Sequence, residues 1–398
     1  MNISKHFFAG CSLLVSLTSL PAQTWPQTVA LTNPWVAVAS SADGSKLVAA
    51  SGGTGVAGGI FASANSGVTW LPTTAPNTNW FAVASSADGV KLVAVAGGGY
   101  TTNKGLIYTS SNSGGTWTPS TAPSDYYYTV ASSADGTRLL AAGSRNRATP
   151  IYASTNAGAT WSTNSLAPMK WRSLVVSSDG SKVVALAGGL SGALFSSTNF
   201  GQTWISNAVP NTLWETLAAS TDLARLIAAG YGGNPGLIYT STNSGVTWTP
   251  ASAPLNYWQS VASSADGNRL VAVGNLGGIY TSSDSGLTWS SNSAPVAAWN
   301  SVASSADGGK LTAAINGGGI YTLQTLPPLR LRAVAANGGI GLSWLVPSTN
   351  YFLRQISNLN ASAWTTVAGQ PALNLTNLQN EVTLPAAAGG GFFRLATP

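Results

Sequence analysis

Short apolar runs alternate with Ser-, Gly- and Asn-rich breaks along most of this chain, at a period of about 43 residues. Each unit opens on an aromatic residue followed eight positions later by aspartate: Trp35/Asp43, Trp80/Asp88, Tyr127/Asp135, Trp171/Asp179, Trp214/Asp222, Trp258/Asp266 and Trp299/Asp307. The residues between are small and mostly apolar, as in Val-Ala-Ser-Ser-Ala, which suits a crowded inner strand. Asp-Gly follows in six units and predicts a tight hairpin with a glycine at positive φ. The fifth unit reads Asp222-Leu223 instead, so a different turn is expected there. A second apolar run comes next, such as Lys91-Leu92-Val93-Ala94-Val95, then a Gly-rich loop of variable length. The third run carries an aliphatic–aromatic pair in every unit: Ile60-Phe61, Ile107-Tyr108, Ile151-Tyr152, Leu194-Phe195, Ile238-Tyr239, Ile279-Tyr280 and Ile320-Tyr321.

Behind that pair stands an eight-residue box, S-x-[ND]-x-G-x-T-W, at 63–70, 110–117, 154–161, 197–204, 241–248 and 282–289. Its Asn or Asp can fold back onto backbone N–H groups of a turn. Its Gly supplies an unusual φ, its Thr suits the strand that follows, and its Trp buries a large area. The Thr-Trp opens a fourth, outer strand, and four short strands per repeat make a propeller blade. There are seven first, second and third strands but six boxes. The missing Thr-Trp stands at the other end, as Gln23-Thr24-Trp25. Residues 23–31 are therefore expected to form the fourth strand of the last blade, which closes the ring and removes a sheet edge.

The two ends read differently. Residues 1–22 have a short basic start, an apolar core over 7–17 and a small residue at Ala22, the pattern of a secretory signal peptide too short to span a bilayer. Phe8-Ala9-Gly10-Cys11 faintly resembles a lipobox, but the apolar core runs on past it. No later stretch reads as a transmembrane segment. His6 and Cys11 are the only His and Cys, and both fall in this leader. The mature chain then lacks a disulfide, a thiol nucleophile and a His base, and no His- or Cys-based metal site or haem ligation is available. No cofactor and no metal is expected. Leu326-Pro327-Pro328 reads as a linker over 326–328, and 329–398 alternates in short runs such as Ile340-Gly341-Leu342-Ser343-Trp344. That segment predicts a small C-terminal β-sandwich and loosely resembles fibronectin type III-like or immunoglobulin-like accessory domains.

Composition sharpens this picture. Hydrophobic residues make up 44% and charged residues 7%, which argues against a disordered or coiled-coil chain and for a β-rich protein with a neutral polar surface. The formal charge is +6, spread between leader, repeats and C-terminal segment, so no nucleic-acid partner is expected.

S-x-[ND]-x-G-x-T-W behind an Ile-Tyr strand resembles the Asp-box, or BNR, repeat of sialidases, xyloglucanase-type glycoside hydrolases, sortilin-type receptors and photosystem II assembly factor-like propellers. The resemblance covers nearly all of 23–325 and implies an all-β, seven-bladed β-propeller with the boxes turned away from the ligand face. Most boxes here carry Asn; Asp284 is the acid. The Arg-Ile-Pro signature of sialidases is absent. Glycoside hydrolysis generally needs two carboxyl groups flanking one bond, and outside the hairpins and boxes of the propeller only Asp125 and Glu215 remain. They are candidate catalytic groups, with rim carboxylates paired to nearby Arg as the other reading.

The cations sort more sharply. Seven follow the hairpins: Lys46, Lys91, Arg138, Lys182, Arg225, Arg269 and Lys310, expected as solvated turn positions. The other five, Lys104, Arg145, Arg147, Lys170 and Arg172, fall in loops of the second to fourth units, on the side opposite the boxes, interleaved with Tyr100, Tyr126, Tyr127 and Trp171. Arg forks bind carboxylate, sulfate or phosphate bidentately, and the resemblance to photosystem II assembly factor-like propellers implies partner binding through an arginine-rich surface. A solubilising patch is the alternative. The seven repeated aromatics read either as packing between blades or as sugar-stacking platforms of a multivalent lectin. The sequence thus points to a secreted or cell-surface, non-catalytic binding propeller for an anionic protein or polysaccharide, with a carbohydrate-active propeller, lectin or hydrolase, as the alternative.

Overall fold

The computed structural model describes residues 25–53, 55–97, 104–143, 147–188, 192–210, 212–230, 236–324, 332–336, 339–345, 352–356, 365–367, 372–374, 379–385 and 392–396. The leader 1–22 and the linker 326–328 lie outside them. The described chain is all-β and is built as a β-propeller from successive small antiparallel sheets.

The first repeat shows the plan. Strands β1 (Asn33–Ser40), β2 (Leu47–Ser51), β3 (Ile60–Ser63) and β4 (Leu71–Pro72) pair in sequence order, all antiparallel. β2 is buried along its whole length, and so are its counterparts Leu92–Ala96, Leu139–Ala142, Val183–Ala187 and Leu226–Gly230. A strand covered on both faces by neighbouring sheets reads as an unbroken apolar run of Val, Leu and Ala, and that is what these segments are. The outer strands are two or three residues long and largely exposed, such as Thr118–Pro119 and Ile205–Asn207, which blunts the sheet edges.

The repeated aromatic is the joint between sheets. Trp80 packs among Val48, Ala50 and Ile60 of the preceding repeat and Leu92 and Ala94 of its own. Trp35, Trp80, Tyr127, Trp171, Trp214, Trp258 and Trp299 are all buried. Each meets the aromatic of its own third strand nearly edge-on, with centroid distances from 5.2 Å for Trp80–Tyr108 to 6.0 Å for Trp171–Phe195. The lectin-platform reading of these seven is corrected: burial leaves no ring face to stack on a sugar.

The hairpins close a second, inner ring. The Ala42 N–H donates to Ala87 O, Ala87 to Ala134, Ala134 to Ser178, Ser178 to Thr221, Thr221 to Ala265, Ala265 to Ala306 and Ala306 back to Ala42, at 2.7–3.0 Å. In each hairpin a serine hydroxyl bonds the aspartate, as Ser41 does to Asp43 Oδ1 at 2.5 Å, and the same oxygen accepts the Ser45 N–H at 3.0 Å. The fifth repeat does not depart from this turn as expected. Leu223 takes φ +57 where Gly44 has +66, its N–H donates to Ser220 O at 3.0 Å, and Asp222 accepts the Ala224 N–H. Leu223 is 2% exposed and packs with Leu186 and Leu194, so burial offsets the strain of a left-handed leucine.

The seven hairpin cations are half-buried clamps, which corrects the expectation of solvated turn positions. Each leans on the next hairpin: the Lys91 ammonium donates to Asp135 O at 2.8 Å and that of Lys182 to Asp222 O at 3.1 Å. The aliphatic stem of Lys46 lies so close to Gly89 that a Cβ there would stand 2.8 Å from it, and Gly89 also has φ +67. Others reach the next box, as Lys310 does to Ser66 at 3.2 Å.

The six boxes share one geometry. Ser63 Oγ accepts the Gly67 N–H at 2.9 Å and Asn65 Oδ1 the Thr69 N–H at 2.8 Å. Asn65 Nδ2 donates to the Thr69 hydroxyl at 2.9 Å, whereas the Thr288 hydroxyl donates to Asp284 at 2.6 Å. Because a hydroxyl both gives and takes, Asn and Asp serve equally in this turn.

At the N-terminal side, residues 25–28 run antiparallel to the third strand of the last repeat: Thr28 N–H donates to Ile320 O at 2.8 Å and Thr322 N–H to Pro26 O at 3.2 Å. Trp25 is buried against Trp299 and Leu323. In the C-terminal segment, Arg332–Ala336, Gly339–Leu345, Gln379–Pro385 and Ala372–Asn374 form one sheet, and Thr365–Thr366, Phe352–Ile356 and Phe392–Ala396 another. Leu342, Trp344, Leu353 and Val367 form their core.

Candidate functional site

A bulge shapes the channel mouth. Pairing of the first and second strands slips by one residue between Trp35 and Ala37, and again at Trp80/Ala82, Trp171/Ser173, Trp214/Thr216, Trp258/Ser260 and Trp299/Ser301. The skipped residue is re-aimed, as bulges do. In chain order the residues after the aromatics are Val36, Phe81, Tyr128, Arg172, Glu215, Gln259 and Asn300. Several of them meet across repeats. The Tyr128 hydroxyl, from the third repeat, donates to Glu215 Oε1 of the fifth at 3.0 Å. Arg172 of the fourth lies 3.6 Å from Glu215 Oε2 and 6.0 Å above the Tyr128 ring. Phe81 of the second packs on Tyr128 at 6.1 Å. Side chains of four repeats touch at one place only if they converge on the central axis.

The Arg172–Glu215 pair is 17% and 8% exposed, a desolvated pair in a chain with few charges. Its stem lies over Gly188, where any Cβ would overlap the guanidinium arm. At the other end of the channel, a cavity of about 330 Å³ is lined by Ser, Ala, Val, Leu and Thr, Ser85, Ser132 and Ser263 among them, and carries no charged lining.

The outer rim of the same face holds the exposed cations. Arg147 lies 4.6 Å and Lys104 5.9 Å from the centroid of the half-buried Tyr126 ring. Cation–π placement of this kind holds a guanidinium in one region of a solvated loop. Main-chain bridges fix the loops: Gly105 pairs with Asp125, and Thr149 with Met169 beside the exposed Lys170. Lys104, Tyr126, Arg147 and Lys170 therefore share one rim.

Asp125 belongs to the scaffold of that rim. Oδ1 accepts the Tyr126 N–H at 2.9 Å and Oδ2 the Tyr152 hydroxyl at 2.9 Å. Burial, then the bond to Asp125 and its charge, push the Tyr152 phenol up to about 12. Tyr127 is also raised, by burial first and then by Tyr152 and Asp125, and its hydroxyl bonds Pro123 O.

Of the residues singled out in the sequence, Lys104, Arg147 and Tyr126 come together, and Lys170 follows Met169, whose main chain bridges to Thr149 on the Arg147 loop. Tyr100 and Arg145 lie outside the described residues. Tyr127 and Trp171 are corrected: both are core, and the Trp171 indole donates to Thr149 O at 2.9 Å, so neither offers a ring to a ligand. Arg172 stands apart at the mouth with its charge met by Glu215. Asp125 and Glu215 have different partners, one on the rim and one at the mouth, so the structure does not make them a pair. Phe81 and Tyr128 were missed, although the position after each repeated aromatic is the one that changes from unit to unit. Among the described residues, no three Asp, Glu, His or Cys side chains gather as a metal site would need.

No family model matches the chain, and no curated protein matches it. Solved structures do. The xyloglucanase of glycoside hydrolase family GH74 from Xanthomonas campestris superposes with a TM-score of 0.59 at 16% identity, over 81% of this chain and 59% of that one. YCF48 from Cyanidioschyzon merolae gives 0.56 at 15% identity, over 76% of this chain and 99% of that one. A YCF48 structure bound to D1 peptide gives 0.57 at 15%, over 78% and 98%. The chain thus spans about three fifths of the xyloglucanase. At such identities the likeness shows the fold, a β-propeller.

Proposed function

We propose that the mature chain is an exported, seven-bladed Asp-box propeller over 23–325, with a small β-sandwich over 329–398, that binds an anionic partner on its rim and catalyses nothing. The closed cycle of seven backbone hydrogen bonds and the pairing of 25–28 with 320–322 support the blade count and the closure. The observation that carries the binding reading is the placement of Arg147 and Lys104 on one Tyr126 ring, with Lys170 on the adjoining loop. Cations held on aromatic faces at fixed loops are preorganised for carboxylate or sulfate groups. That a YCF48 propeller of the same fold is solved with a peptide bound agrees with a protein partner.

The test is binding of the mature chain to polyglutamate and to heparin at rising salt. Wild type should bind both, with affinity falling steeply as screening grows. Lys104→Glu with Arg147→Glu should weaken both by about tenfold or more. Binding unchanged by the double reversal sinks the rim reading.

A carbohydrate-active propeller remains the second reading, favoured by the Phe81–Tyr128 pair at the mouth and by the xyloglucanase fold. Both oxygens of Asp125 accept protein hydrogen bonds, and Glu215 is held by the Tyr128 hydroxyl and paired with Arg172 at 3.6 Å, which argues against hydrolysis. Glycan cleavage lost in Glu215→Gln would establish it.

A further inference from the structure

Leu276 has φ +56 and is 76% exposed. Glycine is the residue for that conformation, and the chain supplies its own comparison. Asn275-Leu276-Gly277-Gly278 of the sixth repeat matches Asn316-Gly317-Gly318-Gly319 of the seventh, and Gly317 has φ +74. Both loops join second to third strands, and both reach sideways to the following repeat: Asn275 and Gly277 pair with Ala298 and Ala297, Asn316 and Gly318 with Pro34 and Asn33. One loop thus carries leucine where the other, doing the same structural work, carries glycine. Buried Leu223 offsets the same strain by packing; Leu276, with its side chain in solvent, gains no such burial. Strain that the fold does not need points to a task outside the fold.

The surroundings extend the patch. Val296, 77% exposed, precedes Ala297, the partner of Gly277. Tyr257, 38% exposed, accepts the Asn275 N–H on its carbonyl at 2.8 Å. The charged residues of these two repeats, Asp266, Arg269, Asp284, Asp307 and Lys310, all belong to hairpins and a box on the opposite face. This sector therefore offers apolar surface without charge, and the rim of the second to fourth repeats offers cations. In the cyclic order of the backbone ring, the third repeat stands across from the junction of the sixth and seventh.

We propose that the partner is an extended peptide, acidic at one end and bulky-apolar at the other, that lies across the channel mouth. Its acids meet Lys104, Arg147 and Lys170, its apolar side chains meet Tyr257, Leu276 and Val296, and its middle passes over Phe81 and Tyr128. This rests on the rim reading above and names the partner class. A polyanionic glycan carries charge along its whole length and has nothing to place on the apolar sector.

The test uses the mature chain and labelled peptides of about twelve residues, which extended span ~40 Å at ~3.3 Å per residue. One carries glutamates at one end and Leu and Phe at the other, made in both chain directions; its control has Ser for the apolar residues. The amphipathic peptide should bind about tenfold tighter than the control. Leu276→Gly and Val296→Ser should each remove most of that advantage, leave heparin binding unchanged, and leave thermal stability unchanged or, for Leu276→Gly, raised. Equal affinity for the two peptides, or full advantage retained in both variants, overturns the inference while heparin binding keeps the rim reading. No binding of either peptide or heparin overturns the rim reading itself.

Discussion

Six hairpin aspartates and the seventh occupy equivalent turns with opposite electrostatics. Burial pushes the carboxyls of Asp43, Asp88, Asp135, Asp222 and Asp266 up, but serine hydroxyls, backbone N–H groups and the clamp cations outweigh it and hold them low; Asp179 is lowered chiefly by Ser177. At Asp307 burial wins over Ser305, Gly309, Arg269 and Lys310, and the carboxyl is raised. A lowered carboxyl stabilises the fold above its unfolded value, near pH 4, and loses that as pH falls through the folded value. A raised one does the reverse, so Asp307 costs stability as pH climbs past the same point. Asp135→Asn should therefore cost about 1 kcal/mol at pH 7, discounted for solvent, and progressively less as pH falls below about 4. Asp307→Asn should become less costly over the same rise. Melting curves from pH 3 to 7 check this; parallel pH profiles for the two variants would contradict it. These aspartates were legible from spacing alone, but Leu223 was not read correctly: a left-handed leucine depends on neighbours such as Leu186 and Leu194 that no local pattern names.

At the scale of strands, the repeats were legible because burial on both faces demands unbroken apolar runs and each sheet joint demands one large ring. The bulge was not, since nothing in Trp80-Phe81-Ala82 marks a slipped register; it shows only when the pairing with Ala96 and Val95 is seen. That slip is why Phe81 escaped notice; the reading of Glu215 as a carboxylate paired to a nearby Arg agrees with Arg172 at 3.6 Å, although Arg172 was also grouped with the rim cations. The clamps escaped for a related reason: a lysine after a hairpin looks solvated until the neighbouring glycine is found beneath its stem. The seam, by contrast, was foreshadowed by an unmatched Thr-Trp. Deleting 23–31, or Trp25→Ala, should cost about 3–5 kcal/mol, a fall of about 10 °C in Tm for a domain of this size. An unchanged Tm after the deletion would rule out the closure.

Across the whole molecule, repeated and unrepeated residues separate by face. Boxes, hairpin aspartates and clamps repeat because every sheet must be joined to the next in the same way, and their polar atoms bond one another. The opposite face breaks the pattern: cations on an aromatic rim, one desolvated ion pair at the mouth, and a strained leucine across from them. Repetition was readable from one sequence; the spatial grouping of unrepeated residues depended on loop bridges such as Thr149 with Met169. The most direct test of the account is a hydrogen-exchange footprint of the mature chain with and without a polyglutamate ligand. Slowed exchange should appear at 104–105, 125–126, 147–149 and 169–170 and not at the box turns. Slowed exchange confined to the box and hairpin face, with the rim loops unchanged, would contradict it.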